Sequence, residues 1–278
     1  MGIGPMIFSK YHGLGNDFIL VETRLNPGCD FRALAVPLCD RRHGIGADGL
    51  VTIEALGGAD FAMHIYNSDG TEAEMCGNAT RCVAHYIDCR GLAPGHREFA
   101  LHTLAGIIRP RLLDDGLVRV DMGMPRLTRA EIPVAGNAAD TAIEMTLEAA
   151  GRAFTGTAVS MGNPHFVIFV DDINAIELET WGAALETHPA FPRKCNIEFA
   201  QLLAPGRIRM RVWERGCGVT AACGTGSCAT AVAAHLTGRA EGPLTVTLDG
   251  GDLRIEYAAD RHVYMTGPAV CVFHGETV

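Results

Sequence analysis

The hydrophobic and polar positions of this chain repeat one arrangement twice. Residues 61–66 (FAMHIY) and 208–213 (IRMRVW) have the apolar and alternating character of strands, one in each half of the chain. Further short strands are predicted at residues 244–248 and 253–257, on either side of a turn rich in glycine and aspartate. The pattern indicates a sheet-rich protein with one dominant helix in each half.

A cysteine followed by glycine comes after the predicted strand in both halves. Cys76 and Gly77 precede an apolar helical pattern in the first half, and Cys223 and Gly224 precede another in the second. Each cysteine is therefore predicted at a helix N-terminus, where backbone N–H groups and the helix dipole favour a thiolate. Two such thiols, about half the chain apart, indicate an acid and a base that act on one substrate.

Composition restricts the possible functions. The 278 residues are 48% hydrophobic and 20% charged, and their net charge of −9 argues against non-specific binding of nucleic acid. No apolar segment is long enough to span a membrane, and the start of the chain lacks the pattern of a secretory signal, so a cytoplasmic protein is expected. A Gly-x-Gly-x-x-Gly motif after a strand is absent, which disfavours a nicotinamide cofactor.

The ten cysteines raise the alternatives of disulfides, metal ligands and catalysis. The chain length and the lack of an export signal disfavour a disulfide framework. No Cys-x-x-Cys pair is present to favour zinc, so no metal is predicted. Most of the other cysteines are predicted to be small buried side chains, for instance Cys29, Cys39, Cys89 and Cys271.

A pair of opposed thiols can invert a carbon centre without a cofactor. One group removes the α-proton from one face while the other delivers a proton to the opposite face, so one is a thiolate and the other a thiol. A reference pKa of about 8.5 suits both states near neutral pH. Helix N-terminal N–H groups would stabilise the charge that develops on a substrate carboxylate, and the sequence offers them at Gly77, Asn78, Gly224 and Thr225.

The remaining polar motifs each have a structural interpretation as well. Asn16, Asn67 and Asn196 are of the type that closes turns and caps helices. Residues 161–165 (MGNPH) fit a turn, and residues 214–215 fit an ion pair at a strand end. Their occurrence together with two Cys-Gly motifs favours the functional interpretation.

Taken together, these motifs resemble those of diaminopimelate epimerase, a family of cofactor-independent amino-acid epimerases. The resemblance spans nearly the whole chain in the family's order. It includes residues 13–18 (GLGNDF), 44–49 (GIGADG), 66–70 (YNSDG), 74–78 (EMCGN), 161–165 (MGNPH), 196–199 (NIEF), 214–216 (ERG), 222–226 (ACGTG) and 265–269 (MTGPA). Two positions depart from the family pattern: Val219 stands where members usually carry Glu, which removes a carboxylate near Cys223, and Ala79 stands where they usually carry Gly.

The resemblance implies an α+β fold of two pseudo-symmetric domains, each an antiparallel-rich sheet curled around a central helix. The expected domains are residues 1–124, completed by a returning C-terminal strand at 268–278, and residues 125–267. The active site is expected in the cleft between them, and the family tends toward homodimers.

The resemblance also implies roles for matching positions. Cys76 and Cys223 match the acid–base pair, His165 and Glu214 match residues that assist thiol deprotonation and hold amino groups, and Arg215 matches the clamp on the distal carboxylate. The implied substrate-binding positions are Asn16, Asn67, Gly77, Asn78, Asn163, Asn196, Glu214, Arg215, Gly224 and Thr225. No cofactor or metal is expected, and the only partners expected are a small-molecule substrate and a second copy of the chain.

The implied reaction is epimerisation of LL- to meso-2,6-diaminopimelate, in lysine and peptidoglycan precursor synthesis. A related racemase of another amino acid, such as histidine or lysine, is an alternative on the same scaffold. Arg215 favours diaminopimelate, because a second charged end needs a geometrically fixed clamp. A redox sensor whose cysteines bind zinc or form a disulfide is an alternative of another class.

Overall fold

The computed structural model describes residues 5–278, which divide into two compact units. The first runs as far as Val120 and includes Gly267–Val278, and the second comprises Asp121–Thr266. In the described part of the chain, each unit combines a sheet with two α-helices. None of the helices among these residues is long and apolar enough to cross a membrane.

The first unit is built on a mixed sheet. Its strand order is β19-β1-β2-β3-β4-β6-β7, with β5 beside β4, and only the β2–β3 and β4–β6 pairs are parallel. The elements are β1 (Ile7–Gly13), β2 (Asn16–Glu22), α1 (Phe31–Cys39), β3 (Gly49–Gly57), β4 (Asp60–Asn67), β5 (Glu72–Ala73), α2 (Gly77–Cys89), β6 (Ala100–Thr103), β7 (Gly106–Ile108), the paired β8 (Arg111–Leu112) and β9 (Val118–Asp121), and the last strand β19 (Val270–Glu276).

The second unit has a sheet of the same kind. Its strand order is β10-β11-β12-β13-β14-β16-β17-β18, with β15 beside β14, and only β12–β13 and β14–β16 are parallel. The elements are β10 (Met145–Ala149), β11 (Arg152–Ser160), β12 (Pro164–Phe169), α3 (Leu178–Glu186), β13 (Asn196–Ala204), β14 (Arg207–Glu214), β15 (Gly218–Thr220), α4 (Gly224–Leu236), β16 (Leu244–Leu248), β17 (Gly251–Tyr257) and β18 (Val263–Gly267).

The predicted repetition of one arrangement is confirmed. Each unit contains an antiparallel hairpin, β3–β4 or β13–β14. A short strand, β5 or β15, pairs with the second strand of that hairpin. Cys-Gly and a 13-residue helix follow, and the next strand is parallel to the second hairpin strand. The predicted strands at residues 61–66 and 208–213 are those second hairpin strands.

The two 13-residue helices are the central elements that the resemblance implies. Helix α2 contacts β1, β2, β8 and β19, and α4 contacts β11, β12, β13, β16 and β17. Both are buried over most of their length. Alanine-rich stretches in α4 allow the surrounding strands to approach closely, since a methyl group takes little space. The α+β class with sheet-wrapped helices is therefore confirmed.

Two details differ from the sequence prediction. A second helix, α1 or α3, is present in each unit, and the short length of nine residues explains why neither dominates the hydrophobic pattern. The prediction of a buried side chain is correct for Cys39 and wrong for Cys89, which lies exposed at the end of α2. Cys29 and Cys271 are partly exposed.

Candidate active site

Cys76 lies at the N-terminus of α2, as the sequence predicts. It is the N-cap residue, with an extended backbone (φ −143°, ψ 117°), and Gly77 is the first helical residue. The side chain is partly buried, and its Sγ lies 3.9 Å from the Asn16 Oδ1 atom. The thiol therefore sits beside helix N–H groups that point out of the helix end.

The predicted binding residues Asn16 and Asn78 contact each other next to this thiol. The Asn78 amide donates to Asn16 Oδ1 at 3.0 Å, and the Asn16 amide donates to Asp48 Oδ2 at 2.7 Å. Arg81 in turn donates to Asn78 Oδ1 at 2.8 Å. The rotamers of both asparagines are thus fixed from the protein side.

Arg81 is a site residue that the sequence reasoning missed. Its side chain is fully buried and also donates to the backbone carbonyls of Gly77, at 3.4 Å, and Pro268, at 3.2 Å. The guanidinium therefore ties the Cys-Gly turn to the segment that leads into β19. Its spacing of four residues from Gly77, one helical turn, was the available signal.

An ion-pair network supports the Asn16 loop. Asp17 pairs with Lys10 at 2.6 Å and with Arg41 at 2.7 Å, and Arg41 also reaches Asp48 at 2.7 Å. Burial raises the pKa of Asp17, but hydrogen bonds from Arg41 and Lys10 outweigh burial and hold that pKa well below its usual value. Asp17 therefore stays ionised and anchors the strand that carries Asn16.

Asn67 has the structural contacts that a turn residue is expected to make. It ends β4, its amide donates to Thr71 Oγ1 at 2.9 Å, and its carbonyl accepts from Gly70 at 2.9 Å. These contacts fit the structural interpretation of Asn67 as a turn residue.

Cys223 lies at the N-terminus of α4 in the matching arrangement. It is the N-cap residue, its Sγ accepts from the Gly226 N–H at 3.4 Å, and the Thr225 hydroxyl lies 3.6 Å from that sulfur. The side chain is buried, at 4% exposure. The sulfur here takes the place of the oxygen that normally caps a helix.

The surroundings of Cys223 favour the neutral thiol over the thiolate. Burial raises the pKa of Cys223, and the carboxylates of Glu214 and Glu198 raise it further, while hydrogen bonds from Thr225 and Gly226 lower it. The net result is a pKa well above the usual value. The expectation that the helix N-terminus would favour a thiolate is therefore wrong for Cys223 in this structure, because burial and neighbouring carboxylates dominate.

His165 and Asn163 lie in the same buried cluster. The His165 Nδ1 atom is 2.7 Å from Glu198 Oε1, and Nε2 is 2.9 Å from Asn163 Oδ1. The Asn163 amide then donates to Thr225 Oγ1 at 3.4 Å. These contacts bring two predicted residues, His165 and Asn163, to the N-terminus of α4.

Glu198 is the second site residue that the sequence reasoning missed. It is fully buried, and one ligand atom from each of His165, Glu198 and Cys223 lies within 4.8 Å of the others. Imidazole, carboxylate and thiolate are also the groups that hold soft divalent metals. The signal was present in the sequence, because Asn196 and Glu198 are two residues apart and so share one face of β13.

Glu214 and Arg215 occupy the end of β14. Glu214 accepts a hydrogen bond from Thr220 Oγ1, and burial raises the pKa of its carboxyl group. Arg215 is exposed, and its Nη1 donates to the Arg193 carbonyl at 3.2 Å. Its charged group is therefore presented at the surface of the second unit.

Asn196 holds the Arg215 loop through the backbone. Its amide donates to the Pro164 carbonyl at 2.7 Å, and its Oδ1 accepts from the Arg215 N–H at 2.9 Å. Both the donor and the acceptor of the buried amide therefore bond to the protein, which fits the structural interpretation of this residue.

Of the two departures from the family pattern, Val219 is 44% exposed and Ala79 is fully buried in α2.

The two units therefore carry similar chemical groups at the N-termini of α2 and α4. Each offers a thiol at a helix N-cap, a following glycine and a polar side chain within reach of the sulfur. Such a half-site can hold a carboxylate on helix N–H groups and exchange a proton through the thiol.

Sequence comparison finds similar proteins over nearly the whole chain. The family model described as diaminopimelate epimerase matches residues 8–128 and 157–272. The diaminopimelate epimerase of Pelotomaculum thermopropionicum is 54% identical over 278 residues, which cover 98% of each chain. This match, over nearly the full length of both chains, is what identifies the family.

Two solved structures share the fold at low sequence identity. A phenazine biosynthesis protein of the PhzF family from Bacillus anthracis has a TM-score of 0.68 at 15% identity and covers 99% of this chain and 100% of its own. A hydroxyproline epimerase from Agrobacterium vitis has a TM-score of 0.67 at 16% identity and covers 100% of this chain and 94% of its own. These likenesses show the shared fold, and the family model and the sequence match show that the chain belongs to the diaminopimelate epimerase family.

Proposed function

We propose that this chain interconverts LL- and meso-2,6-diaminopimelate without a cofactor, with Cys76 and Cys223 as the acid–base pair on opposite faces of one α-carbon. The observation that carries this proposal is the repeated half-site. In both units a cysteine N-caps a 13-residue helix and is followed by glycine. Membership of the diaminopimelate epimerase family supplies the substrate and the place in lysine biosynthesis.

The reaction requires one thiolate and one thiol at the same time. In the LL-to-meso direction, the Cys76 thiolate takes the α-proton and the Cys223 thiol delivers a proton to the other face. The raised pKa of Cys223 supports its role as the acid in the unliganded enzyme. Helix N–H groups at Gly77 and Gly224 hold the reacting carboxylate as negative charge develops on it.

The reverse direction requires Cys223 to lose its proton. Glu214 and His165 are the groups that assist this step, because both lie in the cluster around the thiol. The pKa of Glu214 is raised by burial, which brings its carboxyl group closer to the range in which it can accept a proton at neutral pH.

Arg215 is the residue that selects a substrate with two charged ends. Its guanidinium lies exposed at the end of β14, and its backbone is held by Asn196. A bidentate pair with the distal carboxylate would fix the half of diaminopimelate that does not react. A racemase of histidine or lysine would have less use for this clamp.

The direct test is incubation of the reduced protein with LL-diaminopimelate in deuterated water, with the α-proton followed by NMR. We expect exchange at one α-carbon together with formation of the meso isomer, in the absence of added cofactor. The Cys76→Ala and Cys223→Ala variants are the matched controls and should be inactive. Exchange with histidine or lysine but not with diaminopimelate would overturn the substrate assignment.

A zinc-binding thiol sensor is a second candidate, supported by the imidazole, carboxylate and thiol within 4.8 Å of one another. Metal analysis of the purified protein separates it from the epimerase. One tightly bound zinc per chain, with no proton exchange on any amino acid, would favour the sensor.

We further propose that the enzyme is a cytoplasmic homodimer that associates through β19. This strand exposes three large apolar side chains, Val270, Val272 and Phe273, at 44%, 53% and 46%. Exposed apolar patches of this kind mark association surfaces, and a thiol-dependent enzyme suits a reducing compartment. Light scattering after size exclusion should give a mass of twice the 29.6 kDa of one chain. The Phe273→Glu variant should have the mass of a single chain.

A further inference from the structure

We propose that Glu186 is a positioning residue for Arg215, and that it thereby sets the affinity of the site for the distal carboxylate of the substrate. The inference rests on the proposed role of Arg215 as the clamp on that carboxylate. Glu186 is the last residue of α3, its side chain is buried, and the family resemblance described above implies no role for it.

Arg215 lies just beyond the end of the sheet. Strand β14 ends at Glu214, whose partner on β15 is Gly218. Arg215 is the next residue, in the turn between the two strands, so the strand ladder that holds Glu214 does not extend to it. The position of the Arg215 guanidinium therefore depends on contacts from outside the β14–β15 hairpin.

Glu186 binds the residues on both sides of Glu214 and Arg215. The Trp213 indole N–H donates to Glu186 Oε2 at 2.8 Å, and the Gly216 N–H donates to Oε1 at 3.0 Å. Each oxygen of one carboxylate therefore holds one end of the segment 213–216. This double contact fixes the turn from which the Arg215 side chain leaves the backbone.

The same carboxylate holds the segment that the Arg215 guanidinium contacts. The Lys194 ammonium lies 3.3 Å from Glu186 Oε1, and the carbonyl of its neighbour Arg193 accepts from Arg215 Nη1 at 3.2 Å. Lys194 has a left-handed backbone (φ 58°), which is costly for a residue other than glycine unless surrounding contacts maintain it. Glu186 therefore supports both the origin of the Arg215 side chain and its point of contact.

Helix α3 brings Glu186 to this turn by packing closely on Trp213. A methyl group at Gly182 would lie 2.5 Å from the Trp213 Cβ atom, so a larger residue there would hold the helix away. Gly182 and Glu186 are four residues apart and share one face of α3. The close approach at Gly182 therefore places the carboxylate within hydrogen-bond distance of the indole.

The contacts of Glu186 require an ionised carboxylate. Burial raises the pKa of Glu186, but hydrogen bonds from Trp213, Gly216 and Lys194 outweigh burial and lower it. An ionised carboxylate accepts at both oxygens, whereas a glutamine amide offers one oxygen and one NH2 group. In either orientation of a glutamine at this position, one of the two N–H donors would face the NH2 group.

The test compares Glu186→Gln with wild type, and Glu179→Gln is the matched control. Glu179 lies on the same helix, is exposed and undergoes the same change of charge. The first readout is the rate at which phenylglyoxal modifies Arg215 in the unliganded protein, measured by peptide mapping. We expect modification to be about two- to tenfold faster in Glu186→Gln, because the turn loses a hydrogen bond of ordinary strength. An unchanged rate would overturn the proposal.

Steady-state kinetics with LL-diaminopimelate give the second readout. A clamp on the end that does not react binds the ground state and the transition state alike, so its loss raises KM and leaves kcat. In Glu186→Gln we expect KM to rise about tenfold, with kcat and the Glu179→Gln control unchanged. A fall in kcat at constant KM would mean that Glu186 acts on folding or on the proton transfer, which would overturn the proposal.

The two readouts separate this proposal from the proposed function. Modification by phenylglyoxal needs no substrate, so it reports on Arg215 whether or not the protein acts on diaminopimelate. Faster modification in Glu186→Gln, in a protein that does not epimerise diaminopimelate, would overturn the proposed function and the affinity for a distal carboxylate, and would leave only the positioning of Arg215.

A second substitution tests how the turn is loosened. Trp213→Phe removes the indole N–H and keeps an aromatic ring against α3. Combined with Glu186→Gln, it leaves the glutamine oxygen for the Gly216 N–H and removes the donor that would face the NH2 group. We therefore expect slower modification of Arg215 in the double variant than in Glu186→Gln alone. Modification as fast as in Glu186→Gln, or faster, would contradict the double contact.

Lys194→Met covers the case in which Glu186→Gln does not fold. The Lys194 side chain is 56% exposed, and its replacement removes one contact while the carboxylate stays in place. We expect phenylglyoxal to modify Arg215 about twofold faster in this variant, because an exposed ion pair contributes little. An unfolded Glu186→Gln together with an unchanged rate in Lys194→Met would mean that Glu186 only stabilises the fold, and would overturn the proposal.

Discussion

Replacement of Gly226 by alanine should lower the activity of the protein strongly while it lowers the folding stability only slightly. Gly226 is the third residue of α4 and lies next to Glu198 and Cys223. A methyl group there would lie 2.7 Å from Glu198 Oε1 and 3.1 Å from Cys223 Sγ. Ordinary contacts begin near 3.4 Å, so Glu198 would have to move by about 0.7 Å in a closely packed interior.

The expected cost in folding is small because two terms oppose each other. Alanine is favoured over glycine inside a helix by about 1 kcal/mol, whereas overpacking of a well-filled site costs about 1–3 kcal/mol. The free energy of unfolding should therefore fall by only about 0–2 kcal/mol. Misplacement of a reacting group by 1 Å, by contrast, costs about 100-fold in kcat/KM, so a shift of Glu198 beside the proposed catalytic thiol should lower kcat/KM by up to about that factor.

Urea unfolding and steady-state epimerisation measured on the same sample check both expectations. Gly275→Ala is the matched control, because its added methyl would lie 2.6 Å from the Phe8 ring, on strands of the first unit that carry none of the proposed site residues. It should lose stability but keep its kcat. Full activity in Gly226→Ala would refute the assignment of chemistry to this cluster.

Three further predictions concern other parts of the proposed site. Arg215→Ala should lower kcat/KM for diaminopimelate by about 100-fold, with partial recovery in Arg215→Lys, because a charge-assisted bond contributes about 1.5–3 kcal/mol; unchanged steady-state kinetics would exclude the clamp. Cys76→Ala and Cys223→Ala should each lose at least about 1,000-fold in turnover, and substantial epimerisation by either variant would mean that another residue is the acid or base. Asp17→Asn should remove stability specifically at neutral pH. Burial raises the pKa of Asp17, but the ion pair with Arg41 dominates and lowers it. Its contribution is therefore fully present above the unfolded pKa of about 3.9 and is lost as the pH falls toward the folded value. Urea unfolding at pH 7 and pH 3 measures this, and equal losses of stability on acidification in variant and wild type would contradict it.

The repeat and its helix starts were predictable because they depend on local patterns. The strands at 61–66 and 208–213 extend by one residue at each end to β4 and β14, and α2 and α4 begin at the glycines after Cys76 and Cys223. Strand alternation and helix capping act over a few residues, so the sequence alone identifies them.

The chemistry around each thiol was less predictable because it depends on contacts between distant segments. Glu198 reaches His165 across 33 positions in the sequence, and Arg81 reaches Pro268 across 187. The pKa of Cys223 likewise depends on burial and on two carboxylates that no local pattern places there. A sequence motif predicted which thiol would react, and only the packed structure shows that the surroundings of Cys223 favour its neutral form.

The pairing of the last strand with the first has a consequence for the order of events during synthesis. Strand β19 pairs with β1 from Ile7–Glu276 to His12–Val270, so the first unit lacks an edge strand until the ribosome has made residues 270–276. The second unit is one continuous segment and can fold earlier. Until those residues are made, the nascent N-terminal half carries an unpaired β1 edge that is open to intermolecular pairing. Loss of even a short C-terminal piece would make that transient exposure permanent.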